Sequence, residues 1–107
     1  MEERGDIGVT ETTSRIISLI KAIPRGKVSS YGRIALAAGL RNGARQTVRV
    51  LHSMSEKHDL PWHRVIRSDG SIALPEGAGR ELQIALLQEE GVEVSEDGKV
   101  DMRRFEV

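Results

Sequence analysis

Glycine and proline cut the first half of the chain into helical runs too short to be stable by themselves. Pro24-Arg25-Gly26 and Gly39-Leu40-Arg41-Asn42-Gly43 interrupt an otherwise helical apolar spacing. Before the first break, Ile16, Leu19, Ile20 and Ile23 share one helix face, and Thr12 or Thr13 is the expected N-cap. After it, Ser29 or Ser30 caps a second run from Tyr31 to about Ala38, with Ile34, Ala35 and Ala38 turned inward and Gly39 as a left-handed stop. The third run goes from Ala44 to about Ser55, with Val48, Leu51 and Met54 inward. Two short helices joined through a glycine-containing turn, the second rich in arginine, read as a helix-turn-helix.

The second half is more broken. Pro61-Trp62-His63-Arg64-Val65-Ile66 leads into a turn at Arg67-Ser68-Asp69-Gly70-Ser71, and Ser71–Leu74 is read as a short returning strand. Pro75-Glu76-Gly77-Ala78-Gly79 is a loop. A fourth helix is predicted from Arg80 to Glu90, with Leu82, Ala85 and Leu86 inward and Gly91 ending it. Val92–Val94 and Lys99–Met102 flank Ser95-Glu96-Asp97-Gly98 as a small hairpin. The expectation is a mainly α fold with short β elements, a helix-turn-helix domain of winged-helix type. A chain of 107 residues has room for one core. That domain is assigned to residues 12–107, and residues 1–11 are read as a flexible tail.

Charge is distributed unevenly along a chain whose net charge is zero. Residues 12–74 carry eleven basic side chains against Glu56, Asp59 and Asp69, a net of +8, whereas both flanks are acidic. Such a block suits one face turned to a polyanion. There is no cysteine, which excludes disulfides, thiolate metal sites and a cysteine nucleophile. His52, His58 and His63 have no convincing partner set for zinc, so no metal and no cofactor are expected. No apolar run is long enough for a membrane span, and Met1–Asp6 lacks the apolar stretch of a signal peptide. A cytoplasmic protein, at the nucleoid when bound to DNA, is expected.

Pro61-Trp62-His63-Arg64-Val65 resembles the Pro-Cys-His-Arg-Val segment of the O6-alkylguanine-DNA alkyltransferases. Val28-Ser29-Ser30-Tyr31-Gly32-Arg33-Ile34-Ala35 resembles the family's first helix-turn-helix helix, and Asn42-Gly43-Ala44-Arg45-Gln46-Thr47-Val48 the start of its recognition helix. Arg67-Ser68-Asp69-Gly70 and Glu89-Glu90-Gly91 are similar to its pocket turn and its helix-ending acidic residue. The similarity covers about residues 12–92. The departure is Trp62, which stands where the transferases carry the methyl-accepting cysteine. In this respect the chain resembles the alkyltransferase-like subfamily. The resemblance implies binding of O6-alkylguanine in duplex DNA without removal of the alkyl group, because that transfer needs a thiolate. It further implies hand-over of the lesion to nucleotide excision repair proteins.

The same resemblance implies roles for single residues. Tyr31 rotates the damaged nucleotide out of the duplex, and Arg45 fills the gap it leaves. Trp62, His63, Val65, Ile66 and Ser68 join Tyr31 in the lesion pocket, and Ile72–Gly77 form its lid, with Pro75 where some relatives carry arginine. His63 and Glu90 match the pair that activates the thiol; without a thiol they become a structural pair, and Met54 replaces a third member of that network. Arg33, Arg41, Gly43, Ala44, Gln46, Arg49 and Lys57 are the candidate backbone and groove contacts, with Gly43 and Ala44 small enough for close approach. Spacing alone points the recognition helix to the major groove, whereas the resemblance implies the minor groove. A monomer is expected. The alternative is a helix-turn-helix transcription regulator with no preference for damaged guanine, in which case Tyr31 and Trp62 are packing residues.

Overall fold

The computed structural model describes residues 10–107. The tail expected over residues 1–11 therefore lies mostly outside the described residues. Helix α1 spans Glu11–Lys21, one residue earlier than its predicted start. Thr10, not Thr12 or Thr13, is the cap: its hydroxyl accepts from the Thr13 amide at 3.0 Å. The added residue, Glu11, also pairs with Arg15 at 2.9 Å, one helical turn apart.

A two-residue strand, β1 (Ser29–Ser30), leads directly into α2 (Tyr31–Ala37), whose first turn is capped by Ser30. Gly39 ends this run at φ +92°. Helix α3 then spans Ala44–His58, three residues longer than the apolar spacing indicated. Ser53 and Ser55, near the predicted end, turn their hydroxyls back to the carbonyls of Arg49 and Leu51 within the helix. Lys57 and His58 also suit the negative end of the helix dipole. A 3-10 turn at Trp62–Arg64 runs into β2 (Val65–Ile66). Helix α4 spans Arg80–Glu89 and the one-turn α5 spans Met102–Phe105.

Strands β1 and β2 pair in parallel, Ser29 opposite Val65 and Ser30 opposite Ile66. This short ladder divides the interior. Adjacent strand residues point to opposite sides, so Val65 enters a cluster with Ile16, Ile20, Ile34 and Val50, while Ile66 enters one with Val28, Leu87, Val92 and Phe105. The first cluster joins α1, α2 and α3; the second seats α4 and the C-terminal segment.

Three sequence expectations need correction. Val48 is 44% exposed, because the buried face of α3 is Thr47 and Val50. The Thr47 hydroxyl donates to the Tyr31 carbonyl at 3.0 Å, so a polar residue takes the inward position. On α4, Leu82 is 55% exposed and Gln83 is buried with Leu87; there too a hydrogen-bonding side chain sets the helix phase. Ser71–Leu74 forms no strand beyond a single antiparallel bridge from Ser71 to Lys99. The predicted hairpin is present at its tip, with Val94 bridged to Val100 and the turn closed by Gly98.

Gly43, predicted to ease approach to DNA, is buried at the helix-turn-helix connection. A Cβ there would lie 2.6 Å from Leu40 Cβ and 3.1 Å from Ala35 Cβ. Its smallness therefore serves the packing of α3 against α2. Both obstructing atoms are fixed to backbone, so the strain of Gly43→Ala has little room to relax. We expect a loss of about 1–3 kcal/mol, read as a lowered midpoint in urea denaturation with an unchanged slope.

Candidate nucleic-acid interface

The parallel pairing of β1 with β2 places Tyr31, the residue after β1, beside the segment that precedes and forms β2. There the chain leaves a cavity of about 310 Å³. Tyr31 of α2 and Trp62 and Val65 of the second segment form part of its wall. Helix α3 contributes Val48, Leu51, His52 and Ser55, successive positions on one helix face. Leu74 from the loop and Gln83 from α4 complete the lining. The lining is mainly apolar and includes no carboxylate. Burial raises the Tyr31 hydroxyl pKa, and the charge of Arg67 offsets only part of that rise. Tyr31 is therefore a neutral phenol at physiological pH.

The Trp62 segment is held from two sides. Gln83, fully inside, donates through Nε2 to the carbonyls of His63 at 3.2 Å and Val65 at 3.3 Å. Glu90, with a side chain 4% exposed, receives His63 Nε2 at 2.8 Å and a forked pair from Arg64. The same carboxylate accepts the Gly26 amide at 3.0 Å, and Arg64 also donates to the Ile23 carbonyl at 2.8 Å. One carboxylate thus ties the turn after α1, the Trp62 turn and the end of α4. Burial pushes its pKa up, but the hydrogen bonds from Arg64, Gly26 and His63 outweigh burial and hold it at about 2. The Trp62 and His63 rings meet edge to face with centroids 6.1 Å apart, so fixing His63 also restricts the indole.

Of the residues expected in a pocket, the structure brings together Tyr31, Trp62 and Val65. Three others are not on the wall. His63 is turned to Glu90, Ile66 is wholly buried in the second cluster, and Ser68 borders a separate depression with Asp69 and Lys99. The strand alternation that sends Val65 one way sends Ile66 the other. Val48, Leu51, His52, Ser55 and Gln83 were missed. Apolar spacing turned Val48 inward, and nothing in the sequence marked 48, 52 and 55 as one face beside the Trp62 segment. Of the predicted lid, Leu74 reaches the cavity and Ile72 is core. Arg80, unremarked in the sequence, pins this loop by donating to the carbonyls of Ile72, Leu74 and Asp97.

The basic residues lie at several places along α2, the connection and α3. Arg45 is exposed on α3, seven residues before His52 and nearly in line with it, about 10 Å away along the axis. Gln46 and Arg49 border a groove between α3 and α1. Arg33 lies 3.8 Å from Glu106 beside another depression with Leu19 and Ile23. Arg41 is exposed in the connection before α3, Lys57 is exposed in its last turn, and Ala44 is half-buried at its start. His58 is half-buried at the end of α3, with Nε2 unpartnered. Among the described residues, no helix is long and apolar enough to cross a membrane.

The family described as 6-O-methylguanine DNA methyltransferase, DNA binding domain, matches residues 11–92. The chain belongs to this family. Among curated relatives, it is 44% identical over 91 residues to a DNA base-flipping protein of Vibrio parahaemolyticus, covering 85% of this chain and 90% of the relative. It is 39% identical over 85 residues to alkyltransferase-like protein 1 of Schizosaccharomyces pombe, covering 78% and 79%. The structure resembles that of S. pombe Atl1 in complex with damaged DNA containing O6-carboxymethylguanine. That match has a TM-score of 0.79 and 34% identity, and it covers 91% of this chain and 94% of the other. Membership makes this a DNA-binding domain of the alkyltransferase family, and its mainly helical, helix-turn-helix architecture agrees with the sequence expectation.

The depressed Glu90 pKa has a consequence for stability. Because the folded value is about 2 against an ordinary 4.5, the contribution is complete above about pH 4.5 and is lost as the pH falls towards 2. A shift of this size corresponds to about 3 kcal/mol. Urea denaturation from pH 2 to 7 should show this acid limb. Glu90→Gln should flatten it and lower stability at neutral pH, where Arg64 is left facing an uncharged amide.

Proposed function

We propose that this protein recognises O6-alkylguanine in duplex DNA by rotating the damaged nucleotide into the Tyr31–Trp62 cavity, and that it leaves the alkyl group in place. The observation that carries the reading is Trp62. It occupies the place of the acceptor cysteine in the family motif, and it lies on the wall of a cavity at the foot of the helix-turn-helix. Indole offers a broad apolar face to a flipped purine or its alkyl group, worth ~1–3 kcal/mol by analogy with base–aromatic stacking. It is not a nucleophile that could accept an alkyl group, and the chain holds no cysteine to replace it. The naming of relatives as a base-flipping protein and an alkyltransferase-like protein supports the same reading.

Flipping costs a few kcal/mol, and both the vacated stack and the extruded base have to be stabilised. Arg45 serves the first need. Its guanidinium is planar, and its position one helical turn before Val48 on the cavity wall lets one helix reach both the gap and the flipped base. Tyr31, at the first residue of α2, serves the second by crowding the backbone of the rotated nucleotide. Arg41, Gln46, Arg49 and Lys57 supply phosphate or groove contacts. Gly43 is omitted because it is buried, and Arg33 contributes only by leaving Glu106. The minor groove is the side approached. The protein acts as a monomer in the cytoplasm and marks the bound lesion for nucleotide excision repair.

Duplexes with and without O6-methylguanine, titrated at several salt concentrations, test this reading. The methylated duplex should bind more tightly, log affinity should fall linearly with log salt for both, and the DNA should be recovered still methylated. Equal affinity for the two duplexes would instead favour a transcription regulator, and methyl label on the protein would overturn binding without transfer.

Two substitutions separate discrimination from adhesion. Arg45→Ala should remove roughly 1–3 kcal/mol of lesion preference, as loss of a stacked, base-replacing group. Lys57→Ala should weaken damaged and plain duplex alike. Competition binding at fixed salt reads both, and equal effects on preference would take Arg45 out of the role assigned to it.

A further inference from the structure

The cavity wall has two titratable side chains, Tyr31 and His52. Tyr31 is a neutral phenol. His52 is exposed on α3, and its imidazole makes no hydrogen bond or ion pair among the described residues. Its contrast with His63, whose ring is held by Glu90 at 2.8 Å, is direct. Ser55, one turn further along the same helix face, has its hydroxyl proton committed to the Leu51 carbonyl. The imidazole N–H is therefore the free side-chain donor that α3 presents to the cavity.

The surrounding charge favours an anion at this place. No carboxylate lines the cavity. Glu90 behind the Trp62 segment is compensated by Arg64 and His63. Arg67 lies near enough to Tyr31 for its charge to act on the ring. Val48, Leu51, Leu74 and Val65 are apolar and the Gln83 amide is committed to the carbonyls of His63 and Val65, so beside the Tyr31 hydroxyl and the Trp62 indole N–H it is His52 that α3 offers to a charged group entering the cavity. We propose that His52 reads the alkyl arm of the lesion and selects adducts that end in a carboxylate. The inference rests on the flipped-base reading above. An N–H donated to a carboxylate is roughly twice as strong as one donated to a neutral acceptor.

The experiment compares three duplexes of one sequence, carrying O6-methylguanine, O6-carboxymethylguanine or O6-carbamoylmethylguanine. The last two arms have the same shape and differ in charge. Fluorescence anisotropy should show the carboxymethyl duplex bound about fivefold more tightly than the carbamoylmethyl duplex by the parent protein. His52→Leu should bring that ratio to one or below, with a larger loss for O6-carboxymethylguanine than for O6-methylguanine, and His52→Lys should keep the ratio. His52 is exposed, so both variants should keep the parent melting midpoint. A parent ratio near one, or a ratio that survives His52→Leu, overturns the inference while leaving the lesion-binding reading intact. So does an equal loss for all three duplexes in His52→Leu, which would assign His52 to phosphate contact. If none of the adducts outbinds plain guanine in the parent protein, the lesion-binding reading itself falls, and the inference with it.

Discussion

The buried carboxylate of Glu90 is the point on which the site's geometry depends. It collects hydrogen bonds from Arg64, His63 and the Gly26 amide, and Arg64 passes the connection on to the Ile23 carbonyl. A charge this deep is tolerable only when its lone pairs are met by well-placed donors. Here the donors come from two separated parts of the chain and the carboxylate from a third, so satisfying it fixes the turn after α1, the Trp62 turn and the end of α4 relative to one another. In a transferase the matching histidine and glutamate activate a thiol. With Trp62 in that place, the proposed role of the pair is to hold the indole where it is.

The small size of the domain makes that arrangement necessary. The two apolar clusters are each modest, and they are divided by a ladder of two residues per strand. Neither strand would persist alone. Gln83 reinforces the junction by spending its amide protons on the carbonyls of His63 and Val65, although its own oxygen stays buried without a partner. The cavity opens at this junction, where α2, α3, the Trp62 segment, the Leu74 loop and α4 approach one another. Sites at such meeting points gain precision from every element that converges on them.

In the proposed function, binding energy does the work that covalent chemistry does in a transferase. Phosphate contacts supply affinity without regard to the base. Discrimination comes from how much less it costs to extrude and hold a damaged nucleotide than a paired one. An apolar wall, a neutral phenol and an indole suit that purpose, since each can contact a flipped base without reacting with it. The loop carrying Leu74 is held at its backbone by Arg80, so the wall is formed before any ligand arrives.

The sequence by itself determined the helix-turn-helix and the absence of thiol chemistry. Glycine and proline place the breaks wherever the chain is read, Ser30 and Gly39 act locally as cap and stop, and a missing cysteine is missing in any fold. The family motif around Trp62 was legible for the same reason, as residue types at fixed spacing. Only the tertiary structure decided which faces are inward. Thr47 and Gln83 are buried because of hydrogen-bond partners distant in sequence, the Tyr31 carbonyl and the carbonyls of His63 and Val65. Apolar periodicity cannot register such partners, so Val48 and Leu82 were assigned inward and are exposed. The same limit applies to the cavity. Val65 and Ile66 are equivalent as apolar neighbours in sequence, and pairing with β1 sends one to each side of the ladder. His52 was visible as a residue, but its place on the wall depends on α3 packing beside the Trp62 turn, which long-range contacts alone bring about.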